Sequence, residues 1–166
     1  MRHWMFGLLV LWVIPCGGGE AGVQKQQGGA GTACSLLEDI VPDLLGADPE
    51  RVTFRPSGFR RQDICRASWA PSDEANNRNA NEVRLTILGT VYDTAEEAVA
   101  SLESTVATSG SGDWVEGVGD RAFQNETSVQ VAAKAQRFTV SVSIADDPAG
   151  NQERTLELAR KLVERM

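Results

Sequence analysis

The side chains able to do chemistry in this 166-residue chain are carboxylates, serines and three cysteines, because its single histidine, His3, lies at the extreme amino terminus. A chain with no later histidine lacks the commonest general base and metal ligand. A Ser-His-Asp triad, a Cys-His dyad and a histidine-based zinc site are thereby excluded. Acid pairs remain at Glu96-Glu97, Asp113 with Glu116, and Asp146-Asp147. Two neighbouring carboxylates can divide acid and base roles or hold calcium. Adjacent acids are more commonly solvated charges at loops and helix starts, and that is the expectation here. A serine activated by Lys134 or Lys161 would be another route to hydrolysis, but no serine sits in a nucleophile-elbow pattern. The expectation is no catalytic residue, no metal and no cofactor.

Gly117-Val118-Gly119-Asp120-Arg121-Ala122 has the form G-x-G-x-x-A. A dinucleotide site needs that spacing between a strand and a helix, so that phosphate meets helix amides. Strand-like residues follow Ala122 instead, so the glycines are expected to serve a tight turn. Trp69 and Trp114 are candidates for the wall of a ligand cleft, since aromatics line pockets as well as cores. Arg60-Arg61 reads as hairpin charge, and Asn125-Glu126-Thr127 matches a glycosylation sequon.

The cysteines carry the address. Residues 1–15 pair a thin basic start with an apolar block from Met5 to Ile14, followed by Pro15-Cys16. About 10 apolar residues are too few to cross a hydrocarbon core that needs roughly 20. They suit an export signal, with Cys16 as a lipidated first mature residue. Pro15 departs from the small residue that a lipobox places there, so plain secretion is the alternative. Cys34 and Cys65 then remain. In an oxidising envelope they would pair, with roughly 3–4 kcal/mol of stabilisation from the loop closed; two buried thiols are the alternative.

Residues 16–33, rich in Gly, Gln and Ala, read as a flexible tether, and 34–166 as one domain. Ser35-Leu36-Leu37-Glu38 and Thr94-Ala95-Glu96-Glu97 have the capping-box form that opens a helix. The first helix meets Pro42 and ends near Gly46. Period-two patterns predict strands at 51–54, 63–69, 82–89, 114–116, 121–123, 128–134 and 138–144, with a turn at Pro56-Ser57-Gly58 and a polar loop over 71–81. A last helix starts near Asn151. Consecutive strands with short turns and helices at the start, middle and C-terminus predict an α+β fold, an antiparallel sheet packed by helices. A net charge of −7 offers no footprint for nucleic acid.

Cys34-Ser35-Leu36-Leu37, Leu44-Leu45-Gly46, Cys65-Arg66-Ala67-Ser68-Trp69 and the stretch from Gly117 to Phe123 together resemble an uncharacterised family of actinobacterial envelope lipoproteins, a domain of unknown function. The resemblance implies a lipobox signal, a cysteine pair matching Cys34 and Cys65, and a fold similar to the PsbP-like α/β/α sandwich. It also implies, by analogy, a non-catalytic envelope role. The leading expectation is a membrane-tethered module binding a protein partner or an apolar ligand. An envelope hydrolase and a purely structural lipoprotein are the competing expectations.

Overall fold

The computed structural model describes residues 32–59, 61–70, 81–109 and 111–166. The expected signal, Cys16, most of the expected tether and residues 71–80 lie outside the described residues. Seven strands, β1 (Thr53–Phe59), β2 (Gln62–Trp69), β3 (Asn81–Leu88), β4 (Asp113–Val115), β5 (Arg121–Gln124), β6 (Val129–Ala133) and β7 (Gln136–Ser143), form one sheet in the order β1-β2-β3-β7-β6-β5-β4. Every neighbouring pair is antiparallel. The α+β expectation holds. The sheet is two meanders, β1-β2-β3 and β4-β5-β6-β7, joined along β3 and β7.

Three helices cover it: α1 (Thr32–Leu45), α2 (Ala95–Ser109) and α3 (Asn151–Arg165). Alternation decides what each strand gives them. Cys65, Ala67 and Trp69 on β2, Val83, Leu85 and Ile87 on β3, and Phe138, Val140 and Val142 on β7 point to one face and are buried. That face packs with Leu37, Ile40 and Val41 of α1 and Leu158, Ala159 and Leu162 of α3 in one core. A single cross-strand row, Pro56, Cys65, Leu85, Val140 and Val129, runs through it. Helix α2 lies on the opposite face, where Ala98, Leu102 and Val106 meet Phe123 and Ala132 in a second, smaller cluster.

The Cys34–Cys65 disulfide joins α1 to β2. Beside it, Asp63 accepts a hydrogen bond from the Ala33 N–H at 3.0 Å. That carboxylate satisfies one of the amides that a helix start leaves unpaired. Helix α1 therefore starts at Thr32, and Ala33 is fully buried, although composition assigns it to the tether. Ser35 lies inside the helix and is not its cap. The helix also continues through Pro42 to Leu45. Three further boundaries bear on the sequence reading. Strand β1 runs on through Pro56-Ser57-Gly58, which the pattern reads as a turn; an edge strand tolerates a proline because its outer N–H needs no partner. Asn81 belongs to β3 and is buried, its amide oxygen accepting from the Ala145 N–H at 3.0 Å. The Thr94 box does open α2, with Glu97 N–H donating to the Thr94 hydroxyl at 3.2 Å and Asp93 N–H donating to the Glu97 carboxylate at 3.1 Å.

Candidate functional site

The asymmetry of the two sheet faces places the site. Strand β6 is buried on both sides, with Val129, Val131 and Ala133 facing one way and Ala132 the other. Strands β2 and β3 alternate buried with half-buried or exposed residues along their length. Helix α2 thus covers the β5–β6 half of its face, and among the described residues the β1–β2–β3 half is left open. The open floor carries Arg55 and Ser57 from β1, Ile64, Arg66 and Ser68 from β2, Glu82, Arg84 and Thr86 from β3, and Thr139 and Ser141 from β7.

Register lines up the charges on this floor. Arg55 pairs with Arg66, Arg66 with Arg84, and Arg84 with Ser141. With strands ~4.8 Å apart, the three arginines span about 10 Å. Like charges directly opposite one another destabilise a sheet, yet here three stand in one row of an acidic chain. Arg66 is offset by Glu82 at 3.3 Å, both partly exposed. Among the described residues Arg55 and Arg84 have no carboxylate within ion-pair distance.

The row ends in a shallow concavity of about 240 Å³ lined by Arg84, Thr86, Thr127, Ser128, Thr139 and Ser141. The lining is one guanidinium and five hydroxyls, with no carboxylate. The Thr127 and Ser128 hydroxyls already donate to Asn125 Oδ1 at 3.2 Å. Those of Thr86, Thr139 and Ser141 have no protein partner among the described residues. Arg137, on the same side of β7 as Thr139 and two residues before it, is only 7% exposed beneath α2. It donates to the Ser101 carbonyl at 3.0 Å, the Ser101 hydroxyl at 2.8 Å and the Thr105 hydroxyl at 3.0 Å. Its Nε has no partner among the described residues.

The tryptophans do not join this floor. Trp69 is 9% exposed and belongs to the main core. Trp114 is 40% exposed on β4, but its ring is already used. The Arg121 guanidinium stands 4.2 Å from its centroid, and Phe123 meets it edge-on at 5.2 Å. Arg121 is held in turn by Glu103 of α2 at 3.4 Å. A second polar hollow of about 290 Å³, between Ser111–Asp113, Gln124–Glu126 and Gln152, also lacks an aromatic wall.

The acid pairs sit on separate elements. Glu96 and Glu97 open α2, and the helix amide of Glu96 itself, with Thr94, holds the Glu96 carboxyl below its usual range. Asp147 precedes a 3-10 turn, Pro148–Gly150, and is lowered by the Arg154 guanidinium at 2.6 Å and by the Gly150 N–H. Depressed carboxyls are the opposite of what a general acid near neutrality requires. Asp113 and Glu116 are exposed on and just after β4. Lys134 sits in the β6–β7 turn and Lys161 on α3. Among the described residues no group of three or more His, Cys, Asp or Glu side chains converges as a metal site would, and no helix is long and apolar enough to cross a membrane.

The glycine motif forms the β4–β5 turn, with φ of +72° at Gly117 and +60° at Gly119. A Cβ at Gly119 would stand 2.7 Å from the Ala132 carbonyl, so the close approach is to protein backbone. No family model, curated protein or solved structure matches this chain. The sequon asparagine closes the β5–β6 turn, where Asn125 Oδ1 accepts from the Thr127 and Ser128 amides at 2.9 and 2.8 Å. Single-strand patterns could not reveal the arginine row. Arg55, Arg66 and Arg84 are ordinary strand residues apart and become neighbours only through register.

Proposed function

We propose that this chain is a non-catalytic binding module of the bacterial cell envelope, tethered through an acyl group on Cys16, with the open half of the sheet as its binding surface. The observation that carries the reading is the half-covered face. Helix α2 stops short of β1, β2 and β3, and the floor displays Arg55, Arg84 and hydroxyls with no partner among the described residues, on strands held firmly from behind. The Cys34–Cys65 bond, the Asp63–Ala33 hydrogen bond and the core beneath α1 and α3 fix β2. A rigid element is what a binding surface needs to hold its side chains in place. The polarity of the floor favours a hydrophilic partner over an apolar ligand. The dispersed carboxylates favour binding over turnover. The export signal, the disulfide and the resemblance to envelope lipoproteins support the address.

Two measurements test this. Cys16→Ala should shift the protein from the membrane to the soluble fraction; an unshifted distribution removes the tether. Separately, Thr139→Cys on the floor and Glu157→Cys on α3 should be labelled with maleimide in intact envelopes and in the purified protein. Protection at Thr139→Cys confined to the envelope supports the surface, whereas equal labelling in both settings at both positions removes it.

A further inference from the structure

We infer that the open floor binds a linear polysaccharide that carries an acidic group on its repeats, with an acidic group seated in the Arg84 concavity and others on Arg66 and Arg55. The inference rests on the reading of this face as the binding surface and adds the chemistry of the occupant. Charge complementarity is its first support. In a chain of net charge −7, Arg55, Arg66 and Arg84 stand at one register, and among the described residues Glu82 is the one carboxylate in ion-pair distance of them. Guanidinium groups match carboxylates and phosphates through paired N–H donors. Arg137, buried without a carboxylate among the described residues, adds positive potential on the same side of the sheet.

Shape separates a chain-like anion from a planar one. Helix α2 stands on the same side as the arginines, and a helix is about 10 Å across with its side chains. The floor is therefore the tread of a step with α2 as its riser. A flat anionic bilayer resting on α2 is held above the floor, whereas a single flexible chain reaches it. Helix α2 also carries Glu96, Glu97 and Glu103 and no basic residue, which repels an anionic bilayer.

Backbone accounting separates a glycan from an acidic peptide. Strands β2, β3 and β7 each have a hydrogen-bonded neighbour on both sides, so a peptide could extend the sheet only along the outer edge of β1, where Pro56 lacks an N–H, and not across the Arg66 and Arg84 stretch of the floor. Over β2, β3 and β7 the floor offers side chains alone. The hydroxyls of Thr86, Thr139 and Ser141, without a partner among the described residues, can both donate and accept, which suits sugar hydroxyls flanking an acidic group. Neither tryptophan on the described elements is available as a stacking platform, so a neutral sugar chain would find little purchase.

The test uses the full chain in mild detergent with two probes, polygalacturonate for carboxylate and dextran phosphate for phosphate. Plain dextran, poly-glutamate and vesicles of anionic phospholipid serve as comparisons. Saturable binding of at least one anionic glycan is expected, weakening as salt rises because the charges are exposed. Arg84→Gln should weaken it at least fivefold. The triple change Arg55→Gln, Arg66→Gln and Arg84→Gln should remove it while leaving the melting temperature within a few degrees, since all three residues are exposed. Binding of neither glycan, or binding unchanged in the triple variant, overturns the inference. Equal, arginine-dependent binding of poly-glutamate or of vesicles also overturns it, in favour of a peptide or a bilayer. If Thr139→Cys remains protected in envelopes while both glycans fail, the surface stands and the glycan alone falls.

Discussion

Asp63 of β2 accepts the Ala33 amide of α1 at 3.0 Å, two residues from the cysteine that binds the neighbouring Cys34. The first helix is thus fastened to the sheet twice within one turn, once covalently and once through a carboxylate-bearing residue only 5% exposed. The hydrogen bond also orients the helix start, which a single S–S axis would leave freer to rotate.

Removing the carboxylate should therefore weaken the fold even with the disulfide intact. Asp63→Ala leaves a buried helix amide without its acceptor, a loss of roughly 1–3 kcal/mol. Denaturant unfolding under oxidising conditions measures it; an unchanged midpoint would sink the assignment. Cys34→Ala with Cys65→Ala should cost about 2–5 kcal/mol on its own.

Trp69 and Trp114 should separate cleanly. Trp69→Ala opens a cavity in the main core and should cost roughly 3–5 kcal/mol. Trp114→Ala removes a partly exposed ring whose partners are Arg121 and Phe123, and about 1–2 kcal/mol is expected from lost stacking and cation–π contact. Comparable losses at the two positions would contradict the burial described.

The β6–β7 hairpin is closed by Lys134 and Ala135 with φ of +49° and +62°, the left-handed region that hairpin turns of this type usually fill with Asn and Gly. The Asp120 carboxylate accepts the Lys134 N–H at 2.9 Å, and the Ala135 carbonyl accepts the Tyr92 N–H at 3.0 Å. Ala135→Gly should relieve about 1–2 kcal/mol of left-handed strain against a smaller entropic cost of roughly 0.4–1 kcal/mol. A net rise in thermal stability is the expected reading, and a fall would refute the strain argument.

Asp147 titrates below the ordinary aspartate range because Arg154 and the Gly150 amide favour its charged form. Its folded value is depressed, so its contribution to stability is present above the unfolded value and is lost as pH falls through the folded one. Arg154→Gln should raise the Asp147 value toward ordinary, as followed by carboxyl NMR titration. An unmoved titration in that variant would assign the shift elsewhere.

Much of the scaffold is legible in the sequence. Period-two faces such as Phe138, Val140 and Val142 mark strands because a half-buried strand has to alternate, and the Thr94–Glu97 spacing marks a helix start because the amides there need acceptors. Pro56 misleads because a proline signals a turn unless the strand is an edge, and edge position is a property of the sheet order. Ala33 misleads because a small residue in a Gly-rich run carries no sign of burial; Asp63, thirty residues on, supplies it. The arginine floor is invisible for the same reason. Its residues lie on separate strands, and only the pairing of Arg55 with Arg66 and Arg66 with Arg84 makes them one surface.

The union of two meanders along β3 and β7 has a consequence for how the chain comes together. Within each meander every strand pairs with a sequence neighbour, so those hairpins close short loops. Pairing Glu82 with Ser143 or Ile87 with Phe138 requires a long loop to close first, at greater entropic cost. The seam should accordingly be the kinetic bottleneck. Truncations at Leu85 and Val140 should slow refolding in proportion to the stability they remove, whereas truncation at Ala122 on β5 should chiefly hasten unfolding. The arginine row crosses that same seam at Arg84 and Ser141, so the Arg84 concavity takes shape at the rate-limiting step, before β5 has consolidated.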